Sequence, residues 1–192
     1  MEFPQRFRTR SLLLQRIERG DLDDFLRMRS DPRVTQALGE PRPGQAAVLV
    51  HKLAEHWQRH GYGWWAARDP DSGRFLGCGG LRSATIDGAP ETEVAYGFLP
   101  EYWGRGYATE LARVAVAQGF VRLGVRDIVS FALPDNRASL RVMEKAGFTY
   151  EREFAHAGRL HVLYRLEVDA WRIAPLQRPA SQSHTQAVLQ AV

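Results

Sequence analysis

The spacing of apolar positions changes along the chain, and each change predicts an element. Residues 9–17 hold Leu12, Leu13, Leu14 and Ile17 in a short run that predicts a strand. Gly20 and Asp21 break it, and Asp21 is a suitable cap for a helix over 22–29 carrying Phe25, Leu26 and Met28. Asp31 and Pro32 predict its end, because proline disfavours helical backbone at the residue before it. A turn is expected at 41–44. A second helix over 45–60 presents Val48, Leu49, Leu53 and Trp57. Residues 61–68, with Trp64 and Trp65, and residues 74–82 predict an antiparallel hairpin across a turn at 69–73. Glycines 77, 79 and 80 in its second strand predict a bulge or a close approach by another element. A loop is expected at 84–90 and a strand at 91–99.

Beyond residue 107 the period becomes helical. Ala108, Leu111, Ala112, Ala115, Val116, Gly119, Phe120 and Leu123 fall on one face. Residues 127–133 are nearly continuous in apolar character, which suits a central strand covered on both faces. A helical crossover before it predicts parallel pairing with 91–99. Asn136 and Gly147 bracket a further helix with Leu140, Met143 and Ala146 on its apolar side. Residues 148–154 and 160–168 predict a last antiparallel pair across a turn at 156–158. From Pro175 the chain turns polar and loses its period, so 175–192 is expected to be a mobile tail.

Composition adds limits. At 192 residues the chain is expected to form one domain, over about 9–170, with ordinary apolar and charged fractions. Net charge is +4, and Lys52 and Lys145 are the only lysines among 26 basic residues. No basic stretch interleaves with aromatics, so direct nucleic-acid binding is not expected. No apolar run reaches membrane-spanning length, and the N-terminus lacks a signal-peptide core. The single cysteine, Cys78, reads as a small buried strand residue and fits a reducing cytoplasm. His51, His56 and His60 lie on the second predicted helix. His56 and His60 are four apart, yet no carboxylate or cysteine set completes a metal site, so no metal is expected.

The chemistry concentrates at 100–110. A strand gives way to a turn with Gly104 and Gly106 and then to a helix N-terminus. The glycines let ligand oxygens reach backbone N–H groups, and the first helical turn has N–H groups without intrahelical partners. A phosphate or pyrophosphate is the expected guest. A P-loop would need Gly-Lys followed by Ser or Thr, and no lysine is present here. A dinucleotide fingerprint would need a third glycine where Thr109 stands. A third reading is the acyl-CoA pyrophosphate loop, Gln/Arg-x-x-Gly-x-Gly/Ala, in which Gly106 and Ala108 match and Trp103 stands at the Gln/Arg position.

On these residues the chain resembles the GNAT acetyltransferase superfamily. Residues 102–110 are similar to the loop of its branch of Rim-type ribosomal-protein N-terminal acetyltransferases. Asn136, Ser139, Gly147 and Phe148 resemble a second segment of the family, in the right order after the first. The resemblance implies an α+β fold with a twisted mixed sheet of about seven strands and about four helices. It implies acetyl-CoA as co-substrate, its pantetheine arm lying between splayed strands 91–99 and 127–133. The cofactor contacts it implies are Phe98, Leu99, Trp103, Gly104, Arg105, Gly106, Tyr107, Ala108, Thr109 and Asn136. Arg105 adds charge at the rim or is a plain solvated loop residue. The implied reaction is direct attack of a neutral amine on the thioester in a ternary complex. A backbone N–H at Leu99 or Phe98 would hold the oxyanion, with Leu99 preferred.

Two side chains are candidates for proton transfer. Strand alternation puts Glu91, Glu93 and Ala95 on one face and Thr92, Val94 and Tyr96 on the other. Glu93 is expected as the base, or else orients the acceptor ammonium or faces solvent. Ser139 is similarly a proton donor to the leaving thiolate, or a first-turn residue bonding its own backbone. The acceptor implied is a protein or peptide N-terminal amine, with a small amine such as a polyamine or aminoglycoside as alternative. A non-catalytic acyl-CoA-binding module is the competing class. Members of the branch occur as monomers and homodimers.

Overall fold

A computed structural model describes residues 2–38 and 45–173. The expected turn at 41–44 and the tail at 175–192 lie outside them. Eight strands form one sheet: β1 Arg6–Arg8, β2 Leu13–Arg16, β3 Trp64–Arg68, β4 Phe75–Ile86, β5 Ala89–Phe98, β6 Asp127–Ala132, β7 Thr149–His156 and β8 Arg159–Glu167. Their order is β1-β2-β3-β4-β5-β6-β8-β7. The helices are α1 Leu22–Ser30, α2 Pro32–Leu38, α3 Gln45–His60, α4 Tyr107–Gln118, α5 Arg137–Ala146 and α6 Val168–Ile173. This is the mixed α+β architecture expected, with one strand and two helices more.

The differences have local causes. Asp31 and Pro32 end α1 as expected, but Pro32 also begins α2, where a missing N–H costs nothing. Thr35 closes that turn by donating to the Arg29 and Asp31 carbonyls, both at 3.1 Å. The expected loop at 84–90 is a tight hairpin instead. β4 runs to Ile86 and β5 starts at Ala89, with Asp87 (φ 49°) and Gly88 (φ 84°) at the tip. Positive φ at both central residues is what a two-residue hairpin requires. At the other end of the chain, Phe3 stacks on Trp65 at 5.1 Å, so the packed unit begins ahead of residue 9.

Helices cover both faces. α1 and α2 lie over Gly97, where an added Cβ would meet Met28 and Leu38 at 3.4 Å. α4 lies on the other face, against Gly79. A Cβ there would stand 2.6 Å from the Ala95 carbonyl oxygen and 2.9 Å from Leu111, so the close approach expected of these glycines is present. A bulge is present as well: Ala67 pairs with Gly77 and Arg68 with Phe75, so the extra residue, Leu76, lies in β4 beside Gly77, as the glycines predict. Leu111, Ala112, Ala115 and Val116 of α4 are buried, as their period predicts. α4 then passes into a π turn at Gly119–Leu123. α5 ends at Gly147 (φ 101°), whose N–H and that of Phe148 satisfy the carbonyls of the last turn.

The feature that matters for function is a fork. β5 and β6 run parallel and, among the described residues, bridge at the single pair Glu93–Val129. Behind that pair Arg165 of β8 binds Glu91 of β5 at 2.8 Å, Glu151 of β7 at 2.5 Å and Asp127 of β6. Glu91, and after it Glu151, raises the proton affinity of the Arg165 guanidinium. Ahead of the pair the strands separate. No helix among the described residues is long and apolar enough to cross a membrane.

Candidate functional site

The loop after β5 folds as a short 3-10 turn, Pro100–Tyr102, and then two glycines in left-handed backbone, Gly104 at φ 75° and Gly106 at φ 86°. Only glycine adopts these values without strain. No side chain caps the first turn of α4, and a Cβ placed on Gly104 or Gly106 would find nothing within 4 Å. The result is an open rim of backbone N–H groups at Tyr107, Ala108 and Thr109, with the helix dipole behind them. That rim suits a pyrophosphate. Glu110 fixes the rim from below, taking bonds from the Thr9 hydroxyl at 2.5 Å and the Ser11 N–H at 2.8 Å. Arg105 lies over the Tyr102 ring at 5.5 Å.

Trp103 is 44% exposed and its indole N–H donates to the Phe98 carbonyl at 2.8 Å. The Leu99 N–H donates to the Leu76 carbonyl of β4 at 2.9 Å. Leu99 is therefore corrected as oxyanion donor, since its N–H is already used. Antiparallel backbone alternates its sides, so with Leu99 turned to β4 the Phe98 N–H turns to the fork.

The fork opens into a cavity of about 500 Å³ between α1, α2 and α3, the separated strands and the β7–β8 hairpin. Glu93 lies in its wall, 2% exposed, and accepts from Arg82 Nε at 2.6 Å. The expectation that Glu93 might face solvent is not met. Glu93 attracts the Arg82 guanidinium strongly enough to raise its proton affinity. Tyr96, on the opposite face of β5 as alternation requires, reaches α5. Its hydroxyl lies 3.2 Å from Ser139 Oγ and donates to the Ser139 carbonyl at 3.2 Å. Burial raises the Tyr96 proton affinity, so this phenol stays protonated. Asn136 caps α5 by accepting from the Ser139 N–H at 3.0 Å and donates to the Ala37 carbonyl of α2 at 2.9 Å. The Ser139 N–H thus serves the cap while its hydroxyl meets Tyr96.

Sequence reasoning missed Tyr96, Arg82 and His161. Tyr96 stood in the right strand, but nothing local pairs it with Ser139, 43 positions on. His161 lines the cavity from β8, and its proton affinity is lowered by burial, opposed by the Arg159 carbonyl that its Nδ1 meets at 3.1 Å. The helix histidines have other work. His56 Nδ1 meets the Tyr62 carbonyl at 2.9 Å and its Nε2 accepts from the Ser83 N–H at 3.1 Å, so both nitrogens are engaged. Cys78 is buried and its thiol is pushed up by desolvation, which makes it inert.

Residues 11–149 match the family model of the acetyltransferase (GNAT) domain. The chain belongs to the GNAT acetyltransferase family. The protein YkkB of Bacillus subtilis (strain 168) is 36% identical over 93 residues, 48% of this chain and 54% of YkkB. The N-acetyltransferase YoaA of the same strain is 28% identical over 146 residues, 74% of this chain and 82% of YoaA. The match thus spans about half of one relative and most of the other. Among solved structures, an acetyltransferase from Agrobacterium tumefaciens strain C58 superposes with TM-score 0.75 at 23% identity, covering 87% of this chain and 96% of that one. The fork and the glycine rim both lie within the matched residues.

Proposed function

We propose that this chain is an N-acetyltransferase that moves an acetyl group from acetyl-CoA to a primary amine in a ternary complex. The observation that carries this reading is the fork: two parallel strands, bridged at Glu93–Val129, that part toward a glycine rim. The rim fits the pyrophosphate by its open space and uncapped N–H groups. A protein of the same fold, aminoglycoside acetyltransferase AAC(6′)-Ib, is solved in complex with coenzyme A, at 17% identity and TM-score 0.70.

Acetyl-CoA supplies an activated acyl group with a thiolate leaving group. The chain's own residues do the rest. The open edge of β5 near Phe98 receives the arm, as it would an added strand. The Phe98 N–H stabilises negative charge on the thioester oxygen. Glu93 takes the proton of the incoming amine, with Arg82 holding the carboxylate in place. Tyr96, through Ser139, returns a proton to the thiolate.

The acceptor we infer is a protein or peptide N-terminal amine. The Rim-like loop at 102–110 supports it, and a ribosomal-protein-S5-alanine acetyltransferase from Vibrio fischeri shares the fold at TM-score 0.67 and 20% identity. A small-molecule amine is the second reading, favoured by a cavity of about 500 Å³, large enough for one. Thiol release from acetyl-CoA, measured against peptides and small amines, tests both. Turnover on some amine is expected. Binding of acetyl-CoA with no turnover on any amine would leave a binding module and overturn the enzyme reading.

A further inference from the structure

The acceptor cavity carries an uneven set of charges. Arg29 of α1, Lys52 of α3, Arg82 of β4 and Arg159 of β8 line it. Glu93 is the one carboxylate among the described lining residues, and it is bonded to Arg82. None of residues 100–110 lines this cavity. The cations on α1, α3 and the hairpin therefore belong to the acceptor half and not to the pyrophosphate rim. Burial lowers the proton affinity of Arg29, which means that its charge sits in a poorly solvated place.

We propose that the acceptor amine carries a carboxylate close to it, held by Lys52 and Arg159. The proposal rests on the reading of this cavity as the acceptor half of an acetyltransferase. A polyamine or an aminoglycoside has the opposite chemistry. Its further ammonium groups would meet cations on three elements and no uncommitted carboxylate among the described lining residues. An amine with a nearby carboxylate satisfies both ends. Its nitrogen approaches Glu93 at the fork, and its carboxylate faces the cationic wall. Two sources share this chemistry: a free amino acid, and a peptide with an acidic side chain beside its N-terminus.

Matched acceptors test the proposal on the full chain with acetyl-CoA. One arm compares amino acids with their carboxamides. The other compares a C-terminally amidated tetrapeptide having aspartate second with the same peptide having asparagine there. Spermidine and an aminoglycoside serve as cationic controls. We expect kcat/KM to be about tenfold higher for the carboxylate member of at least one pair. The arm in which this occurs identifies the source. Lys52→Gln combined with Arg159→Gln should bring that ratio close to one, while the thermal shift with acetyl-CoA persists.

Equal rates within both pairs would overturn the proposal. So would a preference for spermidine, or a ratio that survives the double substitution. Calorimetry of the same pairs on the protein–CoA complex reads the preference without turnover. A retained preference in binding with no acetylation would sink the enzyme reading and leave the charge reading standing. Equal binding would sink the charge reading, whether or not some amine is acetylated.

Discussion

The Tyr96 hydroxyl lies 3.2 Å from the Ser139 hydroxyl, so one hydroxyl contact joins a strand to the helix after the fork. Burial keeps the phenol protonated, and the serine extends it toward the cavity that both residues line. Tyr96→Phe should lower kcat about tenfold, and Tyr96→Phe with Ser139→Ala about a hundredfold, with little change in acetyl-CoA affinity. Pre-steady-state thiol release separates this from a packing defect. An unchanged release rate in the double variant would remove the pair from the chemistry.

Glu93 marks the apex of the fork. Glu93→Gln keeps its shape and much of its bonding to Arg82 but removes the charge. Turnover at neutral pH should fall by about a hundredfold while acetyl-CoA binding stays nearly constant. Raising pH should recover part of the rate, because hydroxide and deprotonated amine then replace the base. A variant with the wild-type rate at saturating acceptor would show that Glu93 is not the base.

Gly106→Val tests the rim. At φ 86° a valine is strained by roughly 1–3 kcal/mol, although no protein atom blocks its Cβ. The fold should persist by circular dichroism. CoA affinity should fall by more than about 1.4 kcal/mol, or tenfold, in calorimetry. Dephospho-CoA should lose as much, because it keeps the pyrophosphate, and pantetheine should bind both proteins alike. Normal CoA binding by a folded variant would discard the phosphate-rim reading.

Acetyl-CoA should raise the melting temperature by mass action, and NAD at equal concentration should raise it much less. Equal shifts would argue for the dinucleotide reading of Gly104 and Gly106.

His56 gives a stability signature. Burial lowers its proton affinity from the ordinary 6.5, and its Nε2 must stay unprotonated to accept from Ser83. The unfolded chain thus binds the proton more readily than the native one. The contribution is complete above the ordinary value and is lost as pH falls through the lowered native value. Urea midpoints from pH 8 down to 5 should decline, and His56→Gln should flatten that decline. A parallel decline in the variant would assign the slope to other groups.

The elements that carry the cofactor were legible in the sequence because their signals are local. Gly104, Gly106, Asn136 and Gly147 announce turns and caps within a few residues of where they act. The pairing of 91–99 with 127–133 followed from the crossover between them. What stayed hidden depends on long-range contact. Leu99 differs from Phe98 as a donor only through Leu76, and Tyr96 matters only through Ser139. α2 was missed because Pro32 stops one helix and starts the next, and propensity cannot tell these apart. The charges of the acceptor wall come from α1, α3, β4 and β8, which no spacing relates.

Arg165 holds the closed end of the fork through Glu91, Asp127 and Glu151, on the far side of Glu93–Val129 from the cavity. The split strands therefore resemble a wishbone joined by one guanidinium. Its limbs diverge by construction, before any substrate arrives. Helices α1, α2 and α3 and the β7–β8 hairpin wall the cavity on the other side. Side chains on those elements can be exchanged, and the shape of the cavity with them, while the joint stays as it is.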